Sequence, residues 1–110
     1  MLEALIIMEY INKIELRGYI GSVKQALVGQ YPSVRFSLCT ENCCAQEENI
    51  LIENTWFQCT AINIPNMEKL EKGVIAHVVG RIKQHGYISS DGVERVMYEV
   101  VCNTIDVEEK

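Results

Sequence analysis

Apolar and polar residues alternate along most of this chain with a period of two. That is the period of a strand with one face toward a core and the other toward water. Such runs occupy Tyr10–Gly21, Ser33–Thr40, Ile50–Ile64, Val74–Lys83 and Arg95–Val107. In the second, Val34, Phe36 and Leu38 alternate with Arg35, Ser37 and Cys39, and the third is rich in aromatic and β-branched residues. The first alternates imperfectly, as in Ile14-Glu15-Leu16-Arg17, and Gly18 and Gly21 mark bends or bulges within it. One stretch, from about Pro65 to Lys72, reads as a helix, with proline in its first turn and Gly73 as its C-terminal cap. Ser90-Asp91-Gly92 signals the turn of a long hairpin between the fourth and fifth strands.

Five strands with one short helix between the third and fourth is the element order of an all-β, five-stranded OB-fold Greek-key barrel. An SH3-like barrel also has five strands but does not need this helix, so the order favours the OB reading. A length of 110 residues fits one compact domain. We place it at 10–107, with 1–9 as an N-terminal extension and 108–110 as a short C-terminal end. With 48% apolar and 23% charged residues, the chain is not of disordered composition. No apolar run reaches the roughly 20 residues needed to cross a bilayer. The apolar start lacks a basic segment and a small-residue cleavage site, so no signal peptide is expected, and a start at Met8 is equally compatible.

The net charge of −5 argues at first against a nucleic-acid partner, but the acidic residues are segregated. The first nine residues hold −2, the last five hold −2, and the segment 41–53 holds −4 with no base. What remains carries +3. A basic groove built from residues such as Lys24, Arg35, Arg81, Lys83 and Arg95 is therefore possible. The acidic segment 41–53, with its polar Asn42-Cys43-Cys44-Ala45-Gln46 start, is expected to be a mobile loop away from phosphates. The five cysteines contain no C-x-x-C pair. Cys39, Cys59 and Cys102 lie in strand-like runs and are expected to be core residues, which points to a reducing, cytoplasmic setting. No metal-ligand spacing, phosphate loop or nucleophile motif is present, so no metal, cofactor or catalytic role is expected.

These residues also resemble a family, in consistent order over about 11–105. Asn12-Lys13-Ile14-Glu15-Leu16-Arg17-Gly18-Tyr19-Ile20-Gly21 is similar to the opening strand of bacterial single-stranded DNA-binding proteins, and Val34-Arg35-Phe36-Ser37-Leu38-Cys39-Thr40 to their second. Asn54-Thr55-Trp56-Phe57 stands where the family has Thr-Glu-Trp-His. Leu70-Glu71-Lys72-Gly73, Val78-Val79-Gly80-Arg81-Ile82, Asp91-Gly92 and Tyr98-Glu99-Val100-Val101 resemble its later motifs. The resemblance implies sequence-independent binding and protection of single-stranded DNA in replication, recombination or repair, in the cytoplasm at the nucleoid, by a homotetramer or a dimer. It places base-stacking positions at Trp56, Ile62 and Tyr87, and a further family tryptophan near Cys44. Trp56 and Tyr87 keep the aromatic chemistry, whereas Ile62 and Cys44 do not.

A lone tryptophan read without the family is more often a core or interface residue than a ligand platform, and each cation is by default a solvated surface charge. The resemblance shifts these residues toward DNA: Trp56, Tyr87 and Ile62 against bases, and Lys24, Arg35, Arg81, Lys83 and Arg95 against phosphates. Phe57, Cys59 and Ala61 share the other face of strand three and, with His77 on the neighbouring strand, are candidate subunit-contact residues. The family's flexible tail with an acidic end is not found after Val107-Glu108-Glu109-Lys110. The alternative reading is therefore a tailless OB-fold interaction module resembling primosomal replication proteins, acting with replication proteins in restart.

Overall fold

The computed structural model describes residues 9–108, apart from the side chains of Cys44 and Gln46. Its strands are β1 (Ile14–Val28), β2 (Tyr31–Gln46), β3 (Asn49–Ile62), β4 (Ile75–Ile88) and β5 (Glu94–Val107). They close into a barrel in the order β1-β2-β3-β5-β4, with β4 returning to pair with β1. Every adjacent pair is antiparallel except β3 and β5, which touch in parallel at Cys59 opposite Val100 and Thr60 opposite Val101. This is the OB-fold barrel expected from the element order. Among the described residues no helix is long and apolar enough to cross a membrane.

The alternating residues that face inward make the core. Leu16 and Ile20 come from β1, Val34, Phe36 and Leu38 from β2, Cys59 and Ala61 from β3, Ala76 and Val78 from β4, and Val100, Cys102 and Ile105 from β5. Cys39, Cys59 and Cys102 are buried, as their strand setting implies. Hydrogen bonding to Cys102 and then burial push the Cys59 thiol far above its ordinary range, so it stays protonated and inert.

Three expectations need correction. First, the helix between β3 and β4 is one 3-10 turn, Met67–Lys69, and Leu70 is already extended. Helix-forming side chains over eight residues are too few to sustain a helix alone. Here Met67 and Leu70 instead drop into the end of the barrel as a plug. The Asn66 side-chain amide donates to the Ile105 carbonyl at 2.8 Å, and the Gly73 N–H to the Ile20 carbonyl at 2.8 Å, fixing the ends of this segment.

Second, β1 does not stop at Gly21. A bulge between Ile20 and Val23 shifts the pairing with β2, after which the strand continues to Val28 and turns at Gly29-Gln30. Before the bulge even-numbered residues point inward, Leu16 and Ile20 among them. After it the odd-numbered Val23 packs against the core. The alternation changes phase at Gly21-Ser22, which hides the second half of the strand from a simple period-two reading.

Third, 41–53 is not a loop. It is the outer half of the β2–β3 hairpin, paired from Glu41 opposite Asn54 down to Gln46 opposite Asn49. Glu47 takes the left-handed conformation (φ 58°) at the two-residue tip. Ile50, Leu51 and Ile52 supply strand-forming side chains to this arm while remaining exposed.

Candidate nucleic-acid interface

Residues directly opposite across paired strands share a face of the sheet. On the outside of the barrel this rule assembles one continuous surface. Lys24 lies opposite Arg35, Arg35 opposite Thr60, Thr60 opposite Val101, and Val101 opposite Arg81. Toward one side, Ser33 pairs with Ile62; toward the other, Ser37 pairs with Gln58 and Cys39 with Trp56. Along β4 and β5, Lys83 stands opposite Glu99, His85 opposite Met97, and Tyr87 opposite Arg95. The structure therefore brings Trp56, Ile62, Lys24, Arg35, Arg81 and Lys83 onto one outer face. Tyr87 and Arg95 extend it along the β4–β5 arm.

Trp56 is 51% exposed, held rather than free. Its ring meets Tyr19 edge-on, with centroids 5.6 Å apart and planes at 85°, a favoured aromatic geometry. Beneath it sits Gly21, where any Cβ would fall 2.4 Å from the Trp56 ring. The β1 bulge thus lets the indole settle on bare backbone. The Ser22 amide donates to the Ser37 hydroxyl at 2.9 Å, closing the same corner. The outcome is a flat apolar plate with one face toward solvent, able to stack on a planar ring.

Lys24, Arg35, Ile62, Thr60 and Glu99 line a hollow of about 380 Å³ further down the face. Ile62 is 38% exposed and offers apolar surface but no aromatic ring. Tyr87, 46% exposed, lies beside Arg95 in a shallow depression of the β4–β5 arm. The Arg95 guanidinium also donates to Asp91 at 3.2 Å, so part of its donor capacity is used within the hairpin turn. Hydrogen bonds from Ser89 and the Val93 amide, with a smaller one from Arg95, hold the Asp91 carboxyl below its usual value.

Reading the cations alone missed the acid among them. Glu99 has a side chain only 19% exposed, with one carboxylate oxygen 2.5 Å from His85 Nε2 and the other accepting from the Thr60 hydroxyl at 2.8 Å. Burial acts to raise its carboxyl, but the bonds from His85 and Thr60 and the charges of His85 and Arg35 outweigh it and leave the value lowered. Glu99 is thus an anion in the middle of a cationic face. It was visible in the sequence as the outward member of the Arg95–Met97–Glu99 alternation, together with Gln58 and Thr60 beside Trp56.

The residues expected at a subunit contact divide. Cys59 is 2% exposed and belongs to the core, and Phe57 is half-buried and packs against that core. The face they share is the inside of the barrel, so Cys59 cannot serve a partner. His77 faces outward on β4, 2.5 Å from Glu15 of β1, with half-buried Ile75 and Val79 on the same side. The Cys44 side chain lies outside the described residues, and Cys43 is exposed on the β2–β3 arm. Among the described residues no group of three or more His, Cys, Asp or Glu is placed to hold a metal.

No family model and no curated protein matches the chain. Solved structures do share its fold, two of them single-stranded DNA-binding proteins. A Plasmodium falciparum SSB in complex with ssDNA superposes with a TM-score of 0.76 at 18% identity, over 93% of this chain and 97% of that one. The small single-stranded DNA-binding protein of Streptomyces coelicolor gives a TM-score of 0.70 at 20% identity, over 92% of this chain and 96% of that one. At these identities the likeness is one of fold.

Proposed function

We propose that this chain is a non-enzymatic, sequence-tolerant binder of single-stranded DNA, protecting unpaired strands during replication, recombination or repair. The observation that carries the reading is the outer face of the barrel, where half-exposed Trp56 of β3 stands in one surface with Lys24 of β1, Arg35 of β2 and Lys83 of β4. Unpaired bases expose apolar faces that stack on such a ring, and the adjacent cations neutralise phosphates. Two proteins of the same fold described as single-stranded DNA-binding support the choice of ligand.

Each phosphate contact to a single strand contributes about −0.7 to the slope of log affinity against log salt. Contacts from Lys24, Arg35, Arg81 and Lys83 together therefore set a slope of about −3. Labelled dT oligomers titrated at several salt concentrations, with Trp56 fluorescence as a second readout, test the function. Quenched fluorescence and salt-weakened binding that disfavours duplex support it. No binding at low salt refutes it.

The same proposal includes self-association, tetramer before dimer. Its support is the outward strip of Ile75, His77 and Val79, partly apolar surface that a second copy would cover. A monomer in light scattering at about ten times a typical micromolar dissociation constant would contradict it. Exposed Ile50, Leu51 and Ile52 on the β2–β3 arm favour a second reading, an interaction module for replication proteins. That reading takes precedence if Trp56 fluorescence does not respond to DNA.

A further inference from the structure

Glu99 has no place in a purely cationic track, because a carboxylate beside a phosphate is repelled. Yet it is built in: its two oxygens are fixed by His85 and Thr60, so it cannot swing out to water without breaking both contacts. It lines a hollow of about 290 Å³ together with Arg35, Gln58, Thr60, His85 and Met97, close to the lower bound of about 300 Å³ for small-ligand clefts.

The donor and acceptor inventory of this hollow is specific. An ionised carboxylate only accepts, and each of its oxygens has a second lone pair beyond the contact it already makes. The Arg35 guanidinium only donates, while the Gln58 amide does both. Met97 adds a polarizable thioether suited to a ring. The Watson–Crick edge of cytosine presents an amino group followed by two acceptors, N3 and O2. The edge of thymine presents a carbonyl at each side of its single N–H. Against Glu99 the first arrangement places a donor on an acceptor, and the second places a carbonyl oxygen there.

On the premise that the outer face of β2, β3 and β5 carries the DNA, we propose that the Glu99 hollow reads one base edge. Its carboxylate accepts from the cytosine N4 amino group while Arg35 or Gln58 donates to N3 or O2, so the site favours cytosine over thymine. The two pyrimidine rings are of equal size, so stacking on Trp56 does not separate them and the edge alone does.

Matched dC and dT oligomers, titrated with the full chain at mildly alkaline pH where cytosine is unprotonated, test this. The dC oligomer binds about tenfold more tightly, the value of one good charge-assisted edge contact. An oligomer carrying 2-pyrimidinone, which is cytosine without its amino group, falls to the dT level. That arm changes only the DNA and needs no variant. Glu99→Gln, checked for folding by its thermal melt, equalises dC and dT, because its amide can also donate to the thymine carbonyl. Equal affinity of the wild type for dC and dT, or a preference that survives in Glu99→Gln, overturns the inference while leaving single-strand binding intact. Failure to bind either oligomer at low salt overturns the binding function on which the inference rests.

Discussion

Replacing Trp56 by alanine removes the stacking plate and leaves every cation in place, which makes it the cleanest separation of the two forces on this face. The indole is 51% exposed, so about half of its surface is free to meet a base. Losing one base–aromatic stack weakens binding by about 1–3 kcal/mol, or roughly 5- to 150-fold in dissociation constant. The slope of log affinity against log salt stays unchanged, because stacking releases no counterion. The same substitution also costs stability. The covered half of the ring, about 100 Å² of a large aromatic side chain, corresponds to about 2.5 kcal/mol as an upper limit. The edge-on contact with Tyr19 is part of that loss.

Binding and folding are therefore measured on the same samples, by anisotropy of labelled dT oligomers and by thermal melts. Trp56→Phe, which keeps a smaller plate, recovers part of the affinity. Lys83→Ala has the opposite signature: a slope shallower by about 0.7, so that its loss is greatest at low salt and shrinks as salt rises. If Trp56→Ala folds and binds with unchanged affinity, the indole is not the platform. If it flattens the salt slope, the division between stacking and charge on this surface is wrong.

Gly21→Ala places a Cβ 2.4 Å from the Trp56 ring; the crowding lowers stability by about 1–3 kcal/mol and shifts Trp56 emission, both readable in one fluorescence melt. Acid titration tests Glu99, whose folded carboxyl is held below its ordinary 4.5. Its contribution is present above that unfolded value and is lost as pH falls through the lower folded one. The stability advantage of the wild type over Glu99→Gln in pH-dependent melts should therefore shrink as pH falls below about 4.5. Alkylation of the native protein, mapped by mass spectrometry, should modify Cys43 and spare Cys39, Cys59 and Cys102, which react only after unfolding.

The strands that close the barrel were legible in the sequence because each buries one face, and a buried face enforces strict alternation. Val34-Phe36-Leu38 and the paired run at Phe57-Cys59-Ala61 carry that signature plainly. What escaped lies where one face is not buried or where the phase changes. The β2–β3 arm beyond Thr40 has water on both sides, so its acidic and amide residues resemble a loop although the backbone keeps its ladder. The far half of β1 escaped through the phase change at its bulge. The helix was over-read because Met67-Glu68-Lys69-Leu70 has helical composition, while the open end of the barrel takes Met67 and Leu70 as a plug.

The site was legible to the same degree and for the same reason. Outward positions on a strand follow from inward ones, so once Cys59 and Ala61 face the core, Trp56, Gln58, Thr60 and Ile62 must share the outside. Period two cannot show what two strands bring together when they are joined only by barrel closure. β3 and β5 meet in parallel at two residue pairs, far apart in the chain, and that short contact carries Thr60 to Glu99. Sequence separation hides the pair, and net-charge counting hides it further, since a sum of +3 over nine bases and six acids does not show which acid stands among the bases. The contact that closes the barrel is also the one that sets an anion among the cations. A continuous cationic groove would follow the phosphates alone, whereas a groove interrupted by Glu99 also presents a fixed acceptor toward the bases.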